Sequence, residues 1–239
     1  MTQAFPLSPI GRINSCFSDK FGVPRQPGLC PHARGWIELL PPWDTPDAFR
    51  GLEGFSHLWL TFVFHQTREA DTPRALIRPP RLGGNQRIGV FASRSPFRPN
   101  RLGLSLVRHQ GLKQTPQGLF LEISGLDLIQ DTPVLDIKPY LPWCDSAPDA
   151  EADWAQSPPG RSLEVQYSEE ARIQLAQHSV AHPELEALLE EVLSQDPRPG
   201  YQRHHEQSRI HGMHLLSLNI RWQVQHGYCL VLSISGQGE

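Results

Sequence analysis

The chain has 239 residues, 38% of them hydrophobic and 20% charged, which suits a folded protein with a sizeable core and excludes collagen-like, coiled-coil and largely disordered chains. Its longest apolar run, around Leu58 to Phe64, is far short of the roughly 20 residues of a membrane-spanning helix, and Met1 to Arg12 lack a basic segment followed by an apolar one; the expected location is the cytoplasm. The net charge of -3 conceals an asymmetry, because Thr72 to Leu121 hold eight arginines and Lys113 but no Asp or Glu. Such a stretch is either an electrostatic footprint for phosphate or nucleic acid, or a solvated face that pairs with the acidic remainder.

In chain order, extended segments are expected at Ile10 to Ser15, Gly35 to Leu40, Phe55 to His65, Arg87 to Ser93, Leu102 to Arg108, Leu119 to Ser124 and Pro133 to Lys138, punctuated by Gly and Pro. Phe55 to Phe64 is apolar on both faces and reads as a central strand. The βαβ alternation of a Rossmann-type sheet is missing, so the first part reads as mostly antiparallel β. From Pro142 to Arg161 the composition turns to Asp, Ala, Ser and Pro, as in a linker. Beyond it, Ser168 is positioned to cap a helix from Glu169 to about His178. Pro183 opens a second helix, with Leu185, Leu188, Leu189 and Val192 on one face. A closing hairpin follows: Leu216, Leu218, Ile220, Trp222 and Val224 alternate with polar partners, Gln225-His226-Gly227 turns, and Tyr228, Leu230, Leu232 and Ile234 alternate back. The expected domains are 1–145, a linker at 146–161 and a smaller α+β unit at 162–239.

Several chemistries lack their motif. No dinucleotide fingerprint, P-loop or serine-hydrolase elbow is present. Cys16, Cys30, Cys144 and Cys229 are scattered without a C-x-x-C pair, and His211 and His214 fall on opposite faces of a strand, so neither a disulfide scaffold nor a metal site is expected.

Four dense segments remain. Lys20 to Gly28 is a proline-stiffened loop presenting Arg25 and Gln26. Gly51 to Gln66 runs through the apolar strand to polar His65 and Gln66, which suit either a pocket at the sheet rim or a satisfied strand end. The third joins R-P-P-R-L-G-G-N (78–85) to F-R-P-N (97–100), with proline or glycine near most of its arginines, a frame in which guanidinium groups read phosphate or carboxylate. The fourth, Gly125 to Tyr140, sets Asp127, Asp131 and Asp136 around a short strand, as cation ligands, as bases or in ion pairs.

In this order, and with D-I-K-P-Y at 136–140, the segments resemble the TsaA-like (TrmO) family of tRNA methyltransferases. The resemblance implies a mainly β fold with an N-terminal β-barrel, commonly a homodimer. It also implies S-adenosylmethionine-dependent methylation of N6 of the threonylcarbamoyl-adenosine next to the anticodon of threonine tRNA. Cofactor contacts are then implied at Pro24, Arg25, Gln26, His65, Gln66, Arg94, Leu104, Leu128, Ile129, Gln130 and Asp131. Arg101 follows F-R-P-N where the family pattern calls for a small residue or proline.

Proton removal from the weakly nucleophilic nitrogen leaves His65, Asp127 and Asp131 as candidate bases. Arg25 or Arg94 suits the donor's carboxylate, leaving Arg78, Arg81, Arg98 and Arg101 for the RNA backbone. Arg198, with Tyr201, extends that surface or meets a dimer partner. Phe91 and Phe97 are base-stacking candidates, with core packing the stronger expectation for Phe91. The competing readings are a non-enzymatic RNA- or nucleotide-binding module and a methyltransferase acting on a small adenine-containing metabolite.

Overall fold

The computed structural model describes all residues except 1–4, 68–73, 80–81, 83–85, 159, 161–162, 199–208 and 237–239. Among the described residues, eight strands lie in the first part: β1 (Gly11–Ser15), β2 (Arg34–Leu39), β3 (His57–Val63), β4 (Leu76–Ile77), β5 (Ile88–Gly89), β6 (Leu102–Thr115), β7 (Gly118–Ser124) and β8 (Pro133–Pro139). Six of them form a closed barrel in the order β1-β2-β7-β6-β3-β8, with Gly11 opposite Val134 and Arg12 opposite Pro133 at the closing seam. Every neighbouring pair in it is antiparallel.

Alternation produces this wall. In β3, Leu58, Leu60 and Phe62 are buried inside the barrel while His57, Trp59 and Thr61 face outward, and β3 pairs with β6 and β8, as every strand of a closed barrel pairs with two neighbours. Phe62 needs Gly103 opposite it, because a Cβ there would come within 2.2 Å of the Phe62 ring. The expected strand at Arg87 to Ser93 shrinks to β5, followed by a 3-10 turn at Val90–Ala92 whose Val90 is buried. In the other direction, β6 continues seven residues past Arg108, through an irregularity between His109 and Gly111 where Gly111 has φ +138°.

The antiparallel order has a topological consequence. The connections β1–β2, β3–β6 and β7–β8 all leave the same end of the barrel, since β1, β3 and β7 run one way and β2, β6 and β8 the other. All four motif segments lie on or run into these connections.

Beyond the short helix α1 (Pro142–Asp145), the segment expected as a linker is mostly irregular and exposed. Then come β9 (Glu164–Tyr167), α2 (Glu169–His178), α3 (Leu185–Leu193), β10 (His211–Leu215), β11 (Leu218–Gln225) and β12 (Tyr228–Gly236). Ser168 caps α2, its Oγ accepting from the Ala171 amide at 3.1 Å. Leu185, Leu188, Leu189 and Val192 are all buried along α3. The sheet order is β10-β11-β12-β9, with β9 parallel to β12. The hairpin turns at His226 and Gly227, both at positive φ, as a two-residue turn requires. Along β12 the expected alternation is shifted. Cys229 and Val231 are buried, then Ile234, because a bulge opposite Arg221 and Trp222 skips Leu232. Leu216 belongs to the β10–β11 turn, at φ +58°.

One core runs through both parts: Ile13, Phe17, Ile37, Leu60 and Leu121 of the barrel are continuous with Leu189, Val192, Met213 and Trp222. Backbone joins them too, the Leu216 amide donating to the Cys16 carbonyl at 2.7 Å.

Candidate active site

The three connections meet at the common end of the barrel. The β7–β8 loop is tied to β1 by the Gln130 amide to the Phe17 carbonyl and the Asp131 amide to the Ile13 carbonyl, both 2.8 Å. Ser15 adds its hydroxyl to the Leu128 carbonyl at 2.6 Å and its amide to Gln130 Oε1 at 2.9 Å. The β1–β2 loop is tied to the same segment through the Gly28 amide and the Gly125 carbonyl at 2.9 Å. Arg94, on the β3–β6 connection, reaches over to donate to Gln26 Oε1 at 2.6 Å. Lys20 Nζ donates to the Gln66 carbonyl at 2.8 Å.

Two polar groups result. In the first, Arg94, hydrogen-bonded to Gln26, lends its charge to Asp127, whose Oδ1 accepts from Ser105 Oγ at 2.5 Å. Ser105 is fully buried in the barrel wall, so its hydroxyl needs this partner. Desolvation pushes the Asp127 carboxyl up from 3.8 to about 6, against the opposing pull of the Ser105 hydroxyl, its own backbone and the Arg94 charge. In the second, burial lowers His65 below its ordinary 6.5, while Asp131 pulls it up and Lys20 pushes it further down. Asp131 has φ +61°, a left-handed conformation that Asp tolerates better than most residues. Chemically the end of the barrel offers a guanidinium fork and amide for a carboxylate, and a desolvated carboxyl near neutrality.

Pro24, Gln26, Arg94, Asp127, Gln130, Asp131, His65 and Gln66 thus converge on this rim, together with exposed Arg25. Leu128 is buried, with its carbonyl occupied by Ser15, and Ile129 packs against the core. Leu104 does not join them through its side chain: it is 56% exposed on the outer wall, one residue from inward-facing Ser105. Lys20, Ser15 and Ser105 take part in this rim although no individual role was read for them from the sequence. Lys20 opens the first motif segment, but only the fold shows that it spans to Gln66.

The expected RNA arginines separate. Arg78 is exposed, and Arg81 lies outside the described residues. Arg98 donates to the Ser93 carbonyl at 2.7 Å and lies 5.8 Å from the Phe91 ring centroid. Arg101, at φ +51°, donates to the Thr67 carbonyl at 3.1 Å and pins the two ends of the β3–β6 connection together. Arg198 is a correction. It is 7% exposed, and Nε and Nη2 engage Asp196 at 2.8 and 2.9 Å, so it fixes the loop after α3 instead of presenting charge to RNA. Tyr201 lies outside the described residues. Phe91 is a second correction: at 76% exposed it is a surface ring, while Phe97 is half-buried, 5.1 Å from the Arg74 guanidinium.

A closed antiparallel barrel with its polar groups gathered on loops at one end defines a β-barrel enzyme class distinct from Rossmann-like folds. Residues 12–146 match the tRNA-methyltransferase O N-terminal domain and residues 160–237 the TrmO C-terminal domain, and the chain belongs to the TrmO family. It is 47% identical over 222 residues to the tRNA (adenine(37)-N6)-methyltransferase of Escherichia coli K12, covering 93% of this chain and 94% of that protein. The human tRNA (adenine(37)-N6)-methyltransferase is 43% identical over 140 residues, 58% of this chain and 30% of that protein. The crystal structure of TrmO from Pseudomonas aeruginosa superposes with a TM-score of 0.80 at 40% identity, covering 98% of this chain and 99% of that one.

Proposed function

We propose that this TrmO-family chain methylates N6 of threonylcarbamoyl-adenosine next to the anticodon of threonine tRNA. The coarser activity, S-adenosylmethionine-dependent methylation of an adenine in tRNA, follows from whole-length similarity to the bacterial enzymes. The observation that carries the site is the Gln26–Arg94–Asp127 group, assembled from all three barrel-end connections.

The residues fit the donor. A carboxylate finds the Arg94 fork beside the Gln26 amide, and the Asp131 carboxyl suits an ammonium or sulfonium. Bound there, S-adenosylmethionine supplies an electrophilic methyl group. Of the three candidate bases, Asp127 has the carboxyl poised near neutrality, so it is the residue we assign to take the proton from the acceptor nitrogen; Ser105 holds its orientation. His65, held neutral by burial, flanks Asp131 on the other side of the rim. Exposed Phe91 with Arg98 beside it forms a stacking platform, and Arg78 offers charge to the RNA backbone. Exposed Leu104, on the outer wall, gives a second copy an apolar contact, in keeping with a homodimer. No described helix is long and apolar enough to cross a membrane, and a tRNA substrate fits action in the cytoplasm.

The test is transfer of labelled methyl from S-adenosylmethionine to threonine tRNA with and without its threonylcarbamoyl group, followed by nucleoside analysis. Label confined to the modified nucleoside supports the reading; equal labelling of the unmodified tRNA, or none of either, overturns it.

A further inference from the structure

The β1–β2 loop that carries Pro24, Arg25 and Gln26 is held along its length by the C-terminal part of the chain. Near its start, Asp19 Oδ2 faces His214 Nδ1 at 3.3 Å. Phe21 then stacks against two rings of the C-terminal sheet, with centroids 6.2 Å from Trp222 and 6.3 Å from His211 at interplanar angles of 17° and 19°. His211 and Trp222 are themselves stacked at 4.7 Å. Gly22, at φ +88°, lets the chain turn against that sheet; a Cβ there would sit 3.1 Å from Met213 Sδ and 3.7 Å from Val192. At the far end, Gln195 Nε2 lies 3.2 Å from Cys30 Sγ. Glu191 of α3 accepts from the His32 amide at 3.0 Å and meets His32 Nδ1 at 2.6 Å. Glu191 is buried, and a carboxylate is retained in such a place only with partners of this kind.

Between these two anchors, Gln26 accepts from Arg94 and the Gly28 amide donates to the Gly125 carbonyl. Contacts from α3, from Gln195 just beyond it, and from β10 and β11 converge on this loop, which is also hydrogen-bonded to the barrel end through Lys20, Gln26 and Gly28.

We propose that the C-terminal unit is a positioning element for the methyl-donor site, with Phe21, Trp222 and His211 at one anchor and Glu191 with His32 at the other. The unit sets the height of Gln26 against Arg94, so donor affinity depends on residues that touch neither donor nor RNA. This rests on the reading of the barrel end as a donor site.

The test is calorimetric binding of S-adenosylmethionine to the full chain, with binding of unmodified threonine tRNA measured alongside. Phe21→Ala is expected to weaken the donor by about tenfold or more, since a misplacement of about 1 Å by a remote change can cost up to about a hundredfold. Phe21→Tyr, which keeps the stack, is expected to restore it, and tRNA affinity is expected to stay unchanged in both. Ile234→Ala, a core truncation in β12 away from the loop, is the control: a matching loss of melting temperature without loss of donor affinity separates positioning from general destabilisation. Should Phe21→Ala lose its cooperative melt, Glu191→Gln carries the same expectation at the second anchor. Wild-type affinity in a folded anchor variant overturns the proposal alone, as does equal weakening by Ile234→Ala. Absence of saturable binding in the wild type overturns the donor-site reading and the proposal with it.

Discussion

Asp127 sits where folding and chemistry pull in opposite directions. Its carboxyl is desolvated, and the Ser105 hydroxyl and Arg94 only partly offset the burial that raises it to about 6. An acid with a folded value above its unfolded value stabilises the fold fully below the unfolded value, and that contribution is lost as pH rises through the folded one. Above pH ~6 the charged Asp127 is therefore a burden of about 2–3 kcal/mol, by the free-energy equivalent of such a shift. Asp127→Asn keeps the Ser105 contact and removes the charge, so the variant should melt higher than wild type at pH 7.5, with the difference vanishing near pH 4. Its methylation rate should fall by about 100-fold or more, the usual contribution of a positioned base, and the wild-type rate should drop as pH falls through about 6. A variant no more stable than wild type at pH 7.5 would contradict the desolvation; undiminished methylation would remove Asp127 as the base.

At the scale of elements, the β3–β6 connection divides its arginines between holding and reaching. Arg98 and Arg101 spend donors on carbonyls of their own and the neighbouring segment, while Arg78, just after β4, is exposed. Arg78→Ala should weaken tRNA binding and lower the magnitude of its salt slope by about 0.7, the value for one phosphate contact on a single strand, with donor affinity unchanged; an unaltered slope in titrations at several salt concentrations removes Arg78 from the RNA surface. Most strands were legible because alternation and Gly or Pro boundaries are local signals, and β3, β7 and β8 follow them closely. The extension of β6 was not, since a bulge near Gly111 breaks the period. Nor was the face of β6: Gly103, Ser105 and Val107 turn inward and Leu104 outward, because Phe62 fills the space opposite Gly103 and Asp127 needs Ser105. Arg198 looked available for RNA from its Pro-rich setting, but whether a charge in a loop faces water depends on how the loop folds, here with Arg198 and Asp196 buried against each other.

For the whole molecule, the barrel supplies geometry and the C-terminal unit supplies restraint. Antiparallel order places three connections at one end, and a core continuous across both parts holds the first of them from behind. Four motif segments, separated by up to about a hundred residues, were recognisable one by one; that they form one site follows from strand order, which no local pattern encodes. The most direct measurement is amide hydrogen exchange of the full chain with and without saturating S-adenosylmethionine, in wild type and in Arg94→Ala. The geometry requires protection at 24–28, 64–67 and 125–131 together in the wild type, lost from all three in Arg94→Ala at the same donor concentration. Protection at one segment only, or elsewhere on the barrel, would mean that the three connections do not form one donor site.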